Sequence, residues 1–233
     1  MMKFFFLFTF LTLNTALSYD IVELKNIKSP QMTKVADFNN DGLPDIVTSS
    51  LSSELYHIYI QKNARQFEKV MTINLTDYDV DVFSMSFELG HFDNDTNIDL
   101  MIINDVQKIY YFRGDGQGAF SKKPIILPLG PPVDQLAIKV NTNNDKKDDL
   151  IISTNYILDG NLGLDTLVGK HSKTLQYFKS IRQNINIKKE LEQRNIYEQE
   201  LEIDFLAVGE FTGDKIKDLV IVSTGHDFFM ILK

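Results

Sequence analysis

Asp37-Phe38-Asn39-Asn40-Asp41-Gly42-Leu43-Pro44-Asp45, followed at once by the apolar pair Ile46-Val47, is the stretch on which the fold turns. Its first, third, fifth and ninth positions carry oxygen-bearing side chains, and a strand-like run lies directly behind. Three more copies follow. His91-Phe92-Asp93-Asn94-Asp95-Thr96-Asn97-Ile98-Asp99 leads into Leu100-Met101-Ile102-Ile103. Asn141, Asn143, Asp145 and Asp149 lead into Leu150-Ile151-Ile152, and Glu210, Thr212, Asp214 and Asp218 into Leu219-Val220-Ile221-Val222. Only His91 breaks the oxygen pattern. The copies begin at 37, 91, 141 and 210, steps of 54, 50 and 69 residues (91 − 37, 141 − 91, 210 − 141). A blade of four short strands takes about 40 to 50 residues, and repetition on that scale marks an array or a propeller.

The spacing carries chemistry. Hard cations such as calcium take six to eight oxygen ligands, usually from one tight loop. Alternate residues of a curled loop can point inward. Asp37, Asn39, Asp41 and Asp45 with the carbonyl of Leu43 therefore form a candidate ligand set, and Gly42 suits the sharp turn because it accepts positive φ. The corresponding sets are Asp93, Asp95, Asn97 and Asp99; Asn141, Asn143, Asp145 and Asp149; and Glu210, Thr212, Asp214 and Asp218. The later copies are poorer. Nitrogen at His91 is a weak calcium ligand, and Lys146 and Lys215 bring positive charge into the third and fourth loops. An EF-hand would need Glu at position twelve and flanking helices, whereas position twelve of the first copy is Thr48 and the flanks are β-rich.

Ala36-Asp37-Phe38, Gly90-His91-Phe92 and Gly209-Glu210-Phe211 each open an acidic loop that ends in Asp and an apolar strand. Tyr111-Phe112-Arg113-Gly114-Asp115-Gly116-Gln117-Gly118-Ala119-Phe120 adds a glycine-rich turn between a third and a fourth strand. In these elements the chain resembles the FG-GAP or VCBS repeat family, the calcium-loop β-propeller repeats of integrin α-subunit heads and many secreted proteins. The resemblance runs from about Lys34 onward and implies an all-β propeller with calcium in its loops. Family members usually carry seven blades. Four copies imply a small closed ring, an open partial propeller, or a piece of a longer protein.

Period-two alternation and β-branched or aromatic residues mark the strands. The first blade reads 34–38, 45–49, 55–61 and 67–74, and the second 87–92, 100–104, 109–113 and 125–129. The third starts at 136–140 and 150–154 and resumes at Thr174-Leu175-Gln176-Tyr177-Phe178, with 159–172 as an inserted loop. An irregular or strand-like outer edge is expected over 187–202, where Leu, Glu, Gln and Lys also favour helix. The fourth reads 205–211, 219–223 and 228–232 without an outer strand, and 19–26 is an orphan strand that could close the ring.

Residues 1–18 read as a secretory signal peptide: Lys3, the apolar run Phe4 to Leu13, then small residues at Ala16-Leu17-Ser18. Residues 19–233 form the propeller domain, with no later apolar run long enough to span a membrane. Location is therefore expected to be secreted or lumenal, with membrane attachment only if the chain is a fragment. There is no cysteine, so stability must come from the core and from any bound metal. A net charge of −8 argues against nucleic acid and anionic membranes. Asn74-Leu75-Thr76 is a glycosylation sequon, while Asn94-Asp95-Thr96 lies inside an acidic loop. Arg113-Gly114-Asp115 matches an integrin-binding tripeptide, but the repeat's own turn accounts for it. No HExxH or GxSxG pattern surrounds His57, His91, His171 or His226. The expected function is calcium-stabilised recognition or adhesion toward a protein or glycan ligand. The alternative is a secreted hydrolase that uses the propeller as scaffold.

Overall fold

Residues 45–50, 99–104, 149–158 and 218–223, which follow the four acidic motifs, are all β-strands, the second strand of their sheets. The computed structural model describes residues 21–25, 27–50, 54–78, 84–104, 108–128, 136–141, 147–158, 161–169, 178–186, 205–214, 217–223 and 228–232. The first sheet is β1 (Pro30–Ala36), β2 (Asp45–Ser50), β3 (Leu55–Asn63) and β4 (Gln66–Asn74). The second is β5 (Ser84–Gly90), β6 (Asp99–Asn104), β7 (Lys108–Phe112) and β8 (Ile125–Pro128). The third is β9 (Leu136–Val140), β10 (Asp149–Leu158), β11 (Asn161–Gly169) and β12 (Phe178–Asn186). The last has β13 (Phe205–Gly209), β14 (Asp218–Ser223) and β15 (Phe228–Leu232). Each sheet is an antiparallel meander in chain order. Among the described residues the only helical piece is the 3-10 turn Leu75–Asp77.

The middle strands β2, β3, β6 and β7 are buried at consecutive positions, and this sets the architecture. In β6, Leu100 and Ile102 join a core shared with Val47, Ile58 and Ile60 of the first sheet. Met101 and Ile103, pointing the other way, join a core with Leu150 and Ile152 of the third. β7 splits likewise: Tyr110 and Phe112 face one core, Ile109 and Tyr111 the other. Successive side chains alternate across a strand, so a blade packed on both sides needs apolar residues at consecutive positions. The first strands lie side by side, β1 next to β5, β5 next to β9 and β9 next to β13. Sheets stacked face to face with their first strands innermost make a β-propeller of four blades. Between the first two inner strands, Lys34 Nζ meets Glu88 Oε1 at 2.8 Å. Burial raises the pKa of the Glu88 carboxyl, and the Lys34 contact opposes that shift. Among the described residues no strand pairing joins the fourth sheet to the first.

Three expectations need correction. The stretch 159–172, read as an inserted loop, contains β11, whose Leu162, Leu164, Thr166 and Val168 alternate despite the flanking Gly and Asp residues. That strand takes the third position in its sheet, so β12 at Phe178–Asn186 fills the outer edge expected at 187–202. Residues 174–177 and 187–204 lie outside the described residues, as does the signal peptide. The orphan strand is absent at 21–25, which lie instead beside β3 and β4 of the first sheet, where the Tyr59 hydroxyl donates to the Lys25 carbonyl at 3.2 Å.

Candidate metal centre

All four acidic loops join the first strand of a sheet to its second. In the first two the curl is written by the side chains themselves. Asp41 N donates to Asn39 Oδ1 at 3.2 Å and Leu43 N to Asp41 Oδ1 at 2.8 Å. The second loop repeats the pattern, with Asp95 N on Asp93 Oδ1 at 2.9 Å and Asn97 N on Asp95 Oδ1 at 2.8 Å. These successive Asx turns bring positions three and five to the inside of the loop. Asp37 accepts from Asp41 N at 3.2 Å and Gly42 N at 2.8 Å, and Gly42 has φ +83° as the motif requires.

Position nine does something else as well. Asp45, Asp99, Asp149 and Asp218 are all buried, none more than 1% exposed. Asp45 accepts from Phe38 N and from Gln61 N in β3, both at 2.8 Å. Asp99 Oδ2 accepts from Phe92 N at 3.2 Å and from the Tyr111 hydroxyl at 2.9 Å, and its Oδ1 from Gly114 N at 2.9 Å. Asp218 accepts from Phe211 N at 2.8 Å. The carboxylate thus fastens the loop entrance and, in the first two sheets, the end of the third strand to the start of the second. Gly114 is confined to glycine by this closeness, since a Cβ there would collide with the Ile98 carbonyl.

In the second loop the carboxylates converge. One ligand oxygen each of Asp93, Asp95 and Asp99 lies within 4.8 Å of the others, with Asp93 and Asp99 buried and Asp95 exposed. Burial pushes the Asp99 carboxyl up to about 7; the Gly114 N–H opposes this, and the charges of Asp93 and Asp95 add to it. Burial also raises the Asp45 pKa, against its two backbone hydrogen bonds. Three carboxylates at one point suit a hard, oxygen-seeking cation better than a soft one. A metal at this loop would be held by Asp93, Asp95 and Asp99.

Two further groups belong to this loop. His91 Nδ1 lies 3.0 Å from the Asn97 carbonyl, and since a carbonyl only accepts, that nitrogen carries the proton. Arg113 Nε lies 3.3 Å from Asp93 Oδ2. Neither Arg113 nor the Tyr111 contact was foreseen from the sequence. The strand register gives the signal that could have found them: Leu100 faces Phe112, so Asp99 stands level with Arg113. The loop is also latched to the third sheet, with His91 N on Asp148 Oδ2 at 2.9 Å and Asp148 N on the His91 carbonyl at 2.8 Å.

The other predicted ligands are placed as follows. The first loop holds Asp37, Asn39, Asp41, Leu43 and Asp45 together through the hydrogen bonds above. In the third, Asn143 and Asp145 lie outside the described residues, Asn141 is half-buried and Asp149 is buried. In the fourth, Glu210 accepts from Gly213 N, Thr212 Oγ1 lies 3.4 Å from Asp218 Oδ1, and Asp214 is exposed. Asn74 ends β4 and accepts from Thr76 N at 3.2 Å and from the Thr76 hydroxyl at 2.9 Å. Both charges of Arg113-Gly114-Asp115 are engaged, Arg113 with Asp93 and Asp115 with Gln117 N and Ala119 N.

No protein-family model and no curated protein matches the chain. Among solved structures, the crystal structure of BBS1N in complex with ARL6DN, soaked with lead, is similar at 13% identity and a TM-score of 0.43. The match covers 84% of this chain and 63% of that one, so the chain spans less than two thirds of its length. The propeller assignment rests on the strand order and the two cores. No helix among the described residues is long and apolar enough to cross a membrane.

Proposed function

We propose that the chain is a secreted, non-catalytic calcium-binding propeller protein of the FG-GAP or VCBS kind, serving recognition or adhesion toward a protein or glycan ligand. The observation that carries the calcium reading is the convergence of Asp93, Asp95 and Asp99 at the mouth of the second blade. Matching Asx turns in the first loop extend the reading to Asp37, Asn39, Asp41, Asp45 and the Leu43 carbonyl. Calcium here is structural: it offsets carboxylate repulsion at a point where loop, second strand and third strand meet. The basic and apolar start of residues 1–18 supports secretion, and the absence of cysteine leaves metal as an available staple.

The test is thermal melting of the mature, secreted protein in millimolar calcium and in chelator, with Asp95→Asn alongside. A ligand that binds only the native state stabilises it by about 2.7 kcal/mol at a hundredfold excess over Kd. The wild type should melt several degrees higher with calcium, and Asp95→Asn should lose part of that shift. Equal melting temperatures with and without calcium would overturn the reading.

A further inference from the structure

Resting on the calcium reading above, we propose that Arg113 is the second loop's built-in cation and sets how tightly that loop takes a divalent ion. The Arg113 guanidinium arrives from the end of β7, Nε 3.3 Å from Asp93 Oδ2. Asp93 is 7% exposed at its side chain, and Arg113 is 42% exposed. The chain that carries Arg113 cannot drift away, because the Tyr111 hydroxyl and the Gly114 N–H on either side are both bonded to Asp99. Arg113 therefore stays beside the carboxylates whether or not a metal is present. A divalent ion seeking Asp93 has to displace the guanidinium or bind against its charge. Two other ligand places in this loop are altered as well: position one is His91, and its Nδ1–H is directed at the Asn97 carbonyl of position seven.

The first loop shows the contrast. Ile46 faces Tyr59, so the residue level with Asp45 is Ile60, an apolar side chain 2% exposed in the core. At the strand position where the second blade carries Arg113, the first carries an apolar residue buried in the core. The two loops share a curl and a ninth-position clamp but differ in internal charge compensation. The second is tuned toward weak or conditional occupancy, the first toward full demand for an external cation.

The experiment is calcium titration by calorimetry on the mature protein, comparing wild type, Arg113→Met and Arg113→Lys. Asp95→Asn identifies the component that belongs to the second loop. Metal-free melting is recorded for each. Arg113→Met should tighten the second-loop component at least about threefold, the scale of one partly exposed ion pair, while lowering the metal-free melting temperature. Arg113→Lys should return both values toward wild type. A residue that merely held the fold would weaken both measurements together. Unchanged or weaker calcium binding in Arg113→Met overturns the proposal and leaves the calcium reading standing. Binding by Arg113→Met alone, with none in the wild type, supports Arg113 as the occupant while removing calcium from the native second loop. Binding by neither overturns both.

Discussion

In chelator, the protonation of Asp99 should appear as a fall in stability with rising pH. Its carboxyl has a pKa of about 7 in the folded chain, against an ordinary value of 3.8, first because it is buried and then because Asp93 and Asp95 stand near it. A folded pKa above the unfolded one means that the native state holds more protons across that interval. Stability is therefore lost as pH rises from about 4 to about 7. At 1.36 kcal/mol per pKa unit, the loss between pH 5 and pH 8 is about 2 to 3 kcal/mol. Calcium reverses the logic, since a cation held by Asp93, Asp95 and Asp99 keeps Asp99 ionised in the native state and cancels the slope. The assay is urea unfolding in chelator and in millimolar calcium at pH 5, 6, 7 and 8, on the wild type and on Asp99→Asn. Other groups titrate too: burial raises Glu88 and lowers His57, with Lys69 adding to the latter shift. The difference between wild type and variant removes them. The variant starts roughly 1 to 3 kcal/mol less stable, because an amide cannot satisfy both Gly114 N–H and Phe92 N–H. What decides the matter is its flatter slope in chelator. A chelated wild type whose stability does not fall between pH 5 and pH 8 relative to Asp99→Asn would refute the reasoning.

Two further outcomes follow from burial and hydrogen bonding. Phe92 and Phe211 occupy the same motif position, yet Phe92 is fully buried and Phe211 is 53% exposed. Phe92→Ala should cost about 3 to 5 kcal/mol and Phe211→Ala less than about 1, by chemical denaturation; comparable losses would show that the fourth blade is covered as the second is. In chelator, Asp45→Ala should cost about 2 to 4 kcal/mol, because it leaves the buried N–H groups of Phe38 and Gln61 without their acceptor. Asp41→Ala, at an exposed position, should cost under about 1 kcal/mol in chelator and show its larger effect only in the size of the calcium shift. A large metal-free loss for Asp41→Ala would mean that the loop's own hydrogen bonds, not a cation, set its worth.

Much of this fold could be read from the chain because the repeat couples two signals. Each acidic motif ends in an Asp that begins a strand, and each strand that follows carries consecutive apolar residues, the mark of a sheet packed on both faces. The strands of the first two blades therefore lie within a few residues of where the sequence pattern puts them. Their first strands end at Ala36 and Gly90, two residues short of the expected Phe38 and Phe92, because the Phe backbone N–H is turned to the ninth-position carboxylate instead of a ladder. The third blade was harder. Asn161, Gly163, Asp165 and Gly169 obscure the alternation of Leu162, Leu164, Thr166 and Val168, and turn-forming residues in a strand imitate a loop. In the second loop the convergence of Asp93, Asp95 and Asp99 falls on residues the spacing singles out, whereas the Arg113 contact does not follow from spacing. Arg113 lies twenty residues after Asp93 and reaches it only through the pairing of β6 with β7.

The ninth position explains how the motif can decay without the blade decaying with it. Asp stands there in all four copies, and all four side chains are buried. The first position varies from Asp37 to His91, Asn141 and Glu210, and the third from Asn39 to Asp93, Asn143 and Thr212. On the calcium reading, an early ligand can be replaced mainly at the cost of cation affinity, because those side chains bond largely within their own loop, the contact of Asp93 with Arg113 excepted. The ninth carboxylate accepts the backbone N–H of position two in the first, second and fourth loops. In the first it also holds Gln61 near the end of the third strand, and in the second Gly114 just beyond it. Losing it leaves buried donors unpaired, which costs the fold with or without metal. In those three loops the ninth residue serves the sheet whether or not a cation is present. On the calcium reading proposed above, the loops would range from a full ligand set at Asp37–Asp45 to one compensated by Arg113, while the first, second and fourth blades keep the bond from the ninth position to the second.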